Sequence, residues 1–292
     1  MPLSAEVVLQ AYKLNKRFGQ RVALRDVSLH VAEGETVVIM GPSGCGKSTL
    51  LRCLSGLIPP DAGEVWFRGL AVRDLEGEAL RAFRRRVGFV FQHFNLIGHL
   101  SVLENVLLGP VAAGMPPRTA RREAVRALER VGLGDRLHAR PAALSGGEQQ
   151  RVAIARSLVL KPELILWDEP TAALDPVMVE EVLSLMQELA QEEATAMVIV
   201  THELPFALAA ADRIVLMENG HVVAEGAPDD VIFRSQAEVS RRYRRLYTLR
   251  YGGGARALAA ARCRNDGARS RIDRKAPGAV GATGGPRKVL YT

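Results

Sequence analysis

The chain has 292 residues, of which 48% are hydrophobic and 24% charged, proportions typical of a globular protein with a sizeable core. Its net charge of +7 comes from the end of the chain, because residues 1–240 hold 25 Lys+Arg and 30 Asp+Glu, a net charge of −5. The body is mildly acidic, so the charge balance does not argue for a nucleic-acid-binding protein, and we expect no nucleic-acid partner.

Apolar runs in the sequence all fall short of the roughly 18 residues that a membrane span needs. The first residues also lack the basic and then apolar pattern of a signal peptide. The three cysteines, Cys45, Cys53 and Cys263, do not have metal-site spacing, and an odd number predicts no disulfide framework. We therefore expect a cytosolic protein whose cysteines are free thiols.

Residues 7–40 are predicted to form short strands joined by turns, one of them at Asn15–Gln20 and another at Glu33–Glu35. The first turn contains Phe18. An aromatic residue in this setting is by default part of the core, and the alternative is a ring that stacks on an adenine base.

A glycine-rich motif follows the apolar run Thr36–Met40 and precedes the helical pattern Leu50–Leu54. It matches G-x-x-x-x-G-K-[ST], the loop that wraps phosphates between a strand and a helix. Lys47 would place a positive charge on the outer phosphates, and the Ser48 hydroxyl would bind Mg²⁺. The predicted nucleotide-binding residues here are Gly41, Pro42, Ser43, Gly44, Cys45, Gly46, Lys47, Ser48 and Thr49.

A predicted strand at Val87–Phe91 ends on Gln92, whose amide could reach a metal ion or a water molecule. Residues 95–161 then show helical periodicity, which predicts a helical insertion. Its predicted helices are Val102–Leu108, Ala120–Val131 and Glu148–Leu160.

Ser145, Gly146 and Gly147 stand at the start of the last of these helices. A serine here is an ordinary helix cap, or else it binds a phosphate together with the free N–H groups of the helix end.

Two carboxylates follow the buried-type strand Leu164–Trp167, at the end of the strand where α/β sheets bind ligands. Asp168 is predicted to hold Mg²⁺, and Glu169 to take a proton from an attacking water. A further strand, Ala196–Thr201, ends at His202, which is either a surface histidine or a sensor of the γ-phosphate.

The remaining elements are a turn at Ala172–Pro176, a helix at Val179–Gln191 and a hairpin at Ile214–Glu225 with an Asn-Gly turn. Residues 251–292 are rich in Gly, Ala and Arg, and we predict that they are disordered. A solvated tail is the favoured interpretation of this segment, and the alternative is a basic tail on an anionic membrane surface.

Taken together, these motifs resemble the ATP-binding subunit of ABC transporters over roughly residues 7–248, and Leu144–Gln149 is similar to the signature sequence of that family. The resemblance implies an α/β fold with a P-loop NTPase core, in which a mostly parallel sheet has helices on both faces. It also implies an antiparallel β subdomain and a helical subdomain at about 95–161, with residues 1–250 forming the ATPase domain.

Family resemblance also implies residue roles. Phe18 would stack on adenine, and Gln92 would sense Mg²⁺ and couple to the membrane subunit. Asp175 would belong to a loop that crosses a dimer interface, and His202 would be the switch histidine. The catalytic set would be Glu169, His202, Lys47 and Gln92, and the metal ligands Ser48, Gln92 and Asp168.

In the mechanism that the resemblance implies, two such subunits, or this one and a paralogue, clamp two ATP molecules with Mg²⁺. Each ATP would lie between the phosphate loop of one subunit and Ser145, Gly146 and Gly147 of the other. Membrane-spanning permease subunits would be the direct partners, and a solute-binding protein an indirect one. The protein would lie at the cytoplasmic face of the cell membrane.

The stretches Phe91–Leu96, Leu103–Val106 and Leu174–Pro176 are most similar to importers for polar amino acids. ATPases of lipoprotein-release and macrolide-export systems share much of Phe89–Val106 and remain an alternative. A second alternative is an ABC ATPase that acts as a nucleotide-switched binding module without transport. A third, an inert regulatory subunit, is disfavoured because Glu169 and His202 are both present.

Overall fold

The structure is a computed structural model, which describes residues 7–191 and 195–251. The packing and the site described below belong to the compact unit Met1–Tyr247. The predicted disordered tail lies, from residue 252 onward, outside the described residues.

Two β-sheets form the framework. The strands are β1 (Val7–Phe18), β2 (Arg21–Ala32), β3 (Thr36–Met40), β4 (Ala62–Phe67), β5 (Leu70–Ala71), β6 (Val87–Val90), β7 (Leu164–Asp168), β8 (Ala196–Val200), β9 (Arg213–Glu218) and β10 (His221–Gly226). One sheet has the order β2-β1-β4-β5, and the other has the order β10-β9-β3-β8-β7-β6.

The six-stranded sheet is parallel from β9 to β6, and only the edge strand β10 is antiparallel. Every residue of β3, β7 and β8 is buried, as expected for parallel strands that are covered on both faces. This burial explains why these segments read as uninterrupted apolar runs in the sequence.

The four-stranded sheet is antiparallel, and its first two strands are longer than the predicted short strands. Strands β1 and β2 have 12 residues each, and the register shifts at several points along the pair. Lys13 and Asp26 have positive φ values at these irregularities, where the strands bend without ending. The polar residues near Asn15 therefore lie within a bulged strand instead of a turn.

The helices are α1 (Lys47–Leu54), α2 (Gly77–Arg86), α3 (Val102–Ala112), α4 (Pro117–Arg130), α5 (Gly146–Leu158), α6 (Pro176–Gln191), α7 (Leu204–Ala210) and α8 (Glu238–Tyr251). In the predicted helical insertion, α3, α4 and α5 pack on one another. Helices α4, α5 and α6 begin two or three residues before the predicted starts. The caps Ser145 and Asp175 fix the starts of α5 and α6, whereas α4 begins at Pro117, a residue favoured in the first turn of a helix. None of the helices in the two described ranges is long and apolar enough to span a membrane.

The order of the strands places three polar segments side by side. Strands β3, β8 and β7 are neighbours and run in the same direction, so their carboxyl ends meet at one edge of the sheet. Gly41 follows β3, His202 lies just beyond β8, and Glu169 follows β7. An edge of this kind is the usual position of a ligand site in α/β proteins.

Candidate functional site

The loop between β3 and α1 requires glycine at two positions where the backbone comes close to its neighbours. Gly41 has φ 154° and Gly46 has φ 109°. A Cβ atom at Gly41 would lie 2.2 Å from the carbonyl oxygen of Met217, and one at Gly46 would lie 2.2 Å from that of Ala23. The loop is therefore pressed against β9 and β2, and only glycine fits at both points.

Lys47, the first residue of α1, is 4% exposed. Its Nζ atom donates to the carbonyl oxygens of Gly41, at 3.0 Å, and Pro42, at 3.2 Å. The same atom lies 3.6 Å from Glu169 Oε1. A buried ammonium at the start of a helix, beside free backbone N–H groups, is suited to bind a polyphosphate.

Two neighbouring segments donate hydrogen bonds to backbone carbonyl oxygens of the loop. The amide of Gly220, at the tip of the β9–β10 hairpin, donates to the carbonyl oxygen of Cys45 at 3.0 Å. Arg21 Nη2 donates to the carbonyl oxygen of Gly44 at 2.9 Å. Burial raises the pKa of the Cys45 thiol, so this group remains protonated and the residue contributes its backbone to the loop.

A cavity of about 460 Å³ opens beside the loop. Nine of the residues that line it belong to the predicted nucleotide and catalytic set: Phe18, Ser43, Gly44, Gly46, Lys47, Ser48, Thr49, Gln92 and Glu169. Phe18 is 48% exposed at this cavity, so the interpretation as a core residue is wrong and the ring is available to stack on a flat ligand. Arg21 and Ala23 complete the lining.

Asp168 is buried at the end of β7 and accepts a hydrogen bond from Ser48 Oγ at 2.7 Å. Burial raises the pKa of its carboxyl group, although the Ser48 hydrogen bond acts in the opposite direction. Ser48 and Gln92 line the cavity, and Asp168 lies behind Ser48, to which it is hydrogen-bonded. Such a set of hard oxygen donors fits Mg²⁺.

Glu169 takes up a backbone conformation that is rare for a residue with a side chain. Its φ is 46°, while its amide donates to the carbonyl oxygen of Val200 at 3.0 Å. Strained residues of this kind are concentrated at functional sites. The conformation directs the carboxylate to His202 Nε2, which lies 3.0 Å from Oε1, and the His202 hydrogen bond lowers the pKa of Glu169 despite partial burial.

The predicted signature residues lie elsewhere. Ser145 caps α5 by accepting a hydrogen bond from the Glu148 amide, so the helix-cap interpretation holds within this chain. A Cβ atom on Gly147 would lie 2.7 Å from Met178 Sδ, which shows how closely α5 approaches α6. Asp175 caps α6 by accepting from the amides of Val177 and Met178. Ser145, Gly146 and Gly147 are not part of the cavity lining.

Sequence reasoning missed two side chains, those of Arg21 and Tyr243, that form hydrogen bonds with the loop backbone. Arg21 is paired with Phe18 across the β1–β2 turn, so the register of that hairpin was a signal that could have placed it at the cavity. The Tyr243 hydroxyl accepts a hydrogen bond from the Gly41 amide at 3.1 Å. Gly41 and Tyr243 are 202 positions apart in the chain, and no local sequence pattern indicates their contact.

Comparison with known families agrees with this geometry. Residues 24–172 match the ABC transporter family model. The chain is 45% identical over 228 residues to the glutamine transport ATP-binding protein GlnQ of Geobacillus stearothermophilus, with 78% of this chain and 93% of that protein covered. It is 44% identical over 245 residues to the glutamate/glutamine/aspartate/asparagine transport ATP-binding protein BztD of Rhodobacter capsulatus, with 83% and 92% covered.

Two solved structures share the fold. One is the dimeric post-hydrolysis state of an ATP-binding cassette bound to ADP and Pi, at TM-score 0.69 and 38% identity, covering 75% of this chain and 98% of that one. The other is cbiO1 from Clostridium perfringens, part of the ABC transporter complex cbiONQ, at TM-score 0.71 and 29% identity, covering 88% and 99%. The predicted α/β fold class is confirmed, and the chain belongs to the family of ABC transporter ATP-binding proteins.

Proposed function

We propose that this chain is the ATP-hydrolysing subunit of an importer for polar amino acids, working at the cytoplasmic face of the cell membrane. The observation that carries the catalytic part is the position of the Glu169 carboxylate, 3.0 Å from His202 and 3.6 Å from Lys47 at one cavity. The substrate class is supported by the relatives, whose names specify transport of glutamine, glutamate and similar solutes.

In this proposal ATP binds in the cavity, with its base at the rim and its phosphates at the glycine-rich loop. Phe18 at the rim stacks on adenine, while the loop N–H groups and the start of α1 surround the phosphates. Lys47 moves from Glu169 and the loop carbonyls to the outer phosphates. The loss of that ion pair is offset because a triphosphate offers the ammonium more negative charge than one carboxylate does.

Hydrolysis would then depend on the freed carboxylate. Glu169 accepts a proton from a water molecule, the water oxygen bonds to the γ-phosphorus, and the bond between that phosphorus and the bridging oxygen of ADP breaks. His202 holds the carboxylate, with Nε2 at 3.0 Å from Glu169 Oε1, and would contact the γ-phosphate. A lowered pKa keeps Glu169 deprotonated and able to accept the proton at neutral pH.

Ser48, Asp168 and Gln92 are the residues that we propose to hold Mg²⁺. The ion would supply positive charge to the phosphate oxygens. Ser48 and Asp168 already lie within 2.7 Å of each other, so the protein needs little rearrangement to present both oxygens.

A second ATPase subunit, either another copy of this chain or a paralogue, would complete the site. The signature residues Ser145, Gly146 and Gly147 lie outside the cavity of their own chain and would contact the ATP that the partner holds. Asp175 lies at the start of α6, in the loop assigned to the same interface. Dimerisation of a related cassette with ADP and Pi supports this arrangement, and ATP would close the clamp while hydrolysis opens it.

The test is to purify Glu169→Gln from its native membranes with ATP and Mg²⁺, and to identify what copurifies. Glu188→Gln is a matched control, because Glu188 is exposed on α6. We expect a small permease, and amino-acid uptake in vesicles that contain the wild-type complex and its solute-binding protein. Copurification of a permease with a large extracytoplasmic domain would indicate export or lipoprotein release. Recovery of ribosomes or DNA-repair proteins alone would indicate a non-transport ATPase.

A further inference from the structure

The last described helix, α8, contacts the phosphate loop through one hydroxyl group. Tyr243 Oη accepts a hydrogen bond from the backbone N–H of Gly41 at 3.1 Å. Gly41 is the first residue after β3, where the strand pairing ends at Met40. The tyrosine thus binds the loop at the point where it leaves the sheet.

The Cα position and the carbonyl group of Gly41 are also held closely by their neighbours. Any Cβ atom there would collide with the Met217 carbonyl oxygen at 2.2 Å and with Cys45 Sγ at 2.9 Å. The carbonyl oxygen of Gly41 accepts a hydrogen bond from Lys47 Nζ at 3.0 Å. One residue therefore connects Tyr243, through its N–H group, to the buried ammonium, through its carbonyl oxygen.

The surroundings of Tyr243 keep its phenol group neutral. Burial raises the pKa of Tyr243 to about 12, although the Gly41 hydrogen bond acts in the opposite direction, and the nearby Cys45 and Glu169 raise it further. A neutral hydroxyl keeps its proton while its oxygen accepts from Gly41, so the contact is the same across the physiological range of pH.

We propose that Tyr243 is a positioning residue, which fixes the backbone of Gly41, the first residue of the phosphate loop, and through it the place of the Lys47 ammonium. The role rests on the proposed function, in which Lys47 binds the outer phosphates. Tyr243 does not line the cavity, so it acts on the nucleotide only through Gly41 and Lys47. An ordinary packing role for the ring would need the aromatic ring but not the hydroxyl.

The variant Tyr243→Phe separates these roles, because it removes one oxygen and keeps the ring. Tyr247→Phe is the matched control: it makes the same change on the same helix, at a ring that packs edge-on against Phe233 with the ring centroids 5.8 Å apart. The sequence contains one Met-Gly pair, Met40-Gly41. Labelling Met with ¹³C at the carbonyl and Gly with ¹⁵N therefore gives one amide signal in an HNCO spectrum, that of Gly41.

We expect Tyr243→Phe to shift the Gly41 signal and speed its hydrogen exchange, and Tyr247→Phe to do neither. ATP affinity should fall about three- to tenfold in Tyr243→Phe, as for loss of one hydrogen bond. AMP affinity should change less than twofold, because AMP lacks the outer phosphates. An unchanged Gly41 signal, or equal loss of ATP and AMP affinity, would overturn the proposal. The NMR signal, the hydrogen exchange and the two affinities are all measured without ATP hydrolysis. A wild-type protein that did not hydrolyse ATP would therefore count against the proposed function and not against the role of Tyr243.

Discussion

Glu169 and His202 are 33 positions apart in the chain, yet Glu169 Oε1 and His202 Nε2 lie 3.0 Å apart. The contact follows from the order of the strands, because β7 and β8 pair in parallel and each residue comes just after its strand. The ends of β7 and β8 therefore form one site. In it, His202 orients the Glu169 carboxylate and lowers its pKa.

The first prediction concerns the titration of Glu169. The His202 hydrogen bond is the largest cause that lowers the pKa of Glu169, and burial opposes it. Lys47, Asp168 and Tyr243 also interact electrostatically with this carboxyl. In His202→Asn we therefore expect the pKa of Glu169 to rise toward the ordinary value, as measured by ¹³C NMR of the carboxyl against the Glu169→Gln spectrum.

The same shift has a consequence for stability. Because the folded-state pKa of Glu169 lies below the unfolded value, the pair stabilises the fold above the unfolded pKa, and this contribution disappears as pH falls through the folded pKa. His202→Asn should therefore lower the free energy of unfolding more at pH 7 than in acid. An equal effect at both pH values would contradict the assigned cause.

A second prediction concerns the backbone of the loop. Gly46→Ala places a Cβ atom 2.2 Å from the Ala23 carbonyl oxygen at a φ of 109°. The conformation alone costs about 1–3 kcal/mol, and the collision adds to it. Denaturant unfolding should show this loss, whereas Gly98→Ala, where the new methyl group meets open space, should change the free energy of unfolding by less than about 0.5 kcal/mol. Similar unfolding midpoints for the two variants would be inconsistent with the described loop.

A third prediction uses two helix caps of the same design. Ser101 and Ser145 each form a capping box, with Glu104 and Glu148 respectively. Each Ser→Ala change should cost about 1 kcal/mol of stability. In the assembled complex, however, Ser145→Ala should lower ATP hydrolysis about tenfold or more, as expected for loss of a donor to a phosphate, and Ser101→Ala should leave the rate nearly unchanged. Equal rates in the two variants would remove the proposed contact of Ser145 with the partner's ATP.

A fourth prediction concerns Mg²⁺. Ser48→Ala removes the hydroxyl that lies 2.7 Å from Asp168 Oδ1. The concentration of Mg²⁺ that gives half-maximal hydrolysis should rise by at least about tenfold, because loss of even a group that only supports a metal ligand lowers metal affinity by that much. Ser184→Ala, on the exposed side of α6, is the control and should leave that concentration unchanged. A Ser48→Ala variant with the wild-type Mg²⁺ dependence would exclude Ser48 as a ligand.

The sequence predicted those parts of the site in which chemistry and local structure coincide. The loop at Gly41–Thr49 and the pair Asp168-Glu169 each stand at the carboxyl end of a buried strand. The order of residues in each motif is used by few other structures, so the motif predicts the strand before it and the strand supports the assignment of the motif. The parallel strands were evident for the same reason, because burial on both faces leaves an unbroken apolar run.

Other features depend on tertiary contacts that leave no local pattern. The length of β1 was missed because bulges at positions such as Lys13 place polar residues inside a strand. Arg21 reaches the loop only through the register of β1 and β2, and Tyr243 only through the tertiary fold that brings α8 to Gly41, the residue after β3. The roles of Ser145 and Asp175 require a second subunit and remain predictions.

The central claim is that Glu169 takes the proton from the water that attacks ATP, and the most direct measurement is the rate of phosphate release by Glu169→Gln. We predict that this variant binds ATP as tightly as the wild type and hydrolyses it at least about a hundredfold more slowly, the usual loss when a general base is removed. The control Glu188→Gln should keep the wild-type rate. Phosphate release by Glu169→Gln at the wild-type rate would contradict the account.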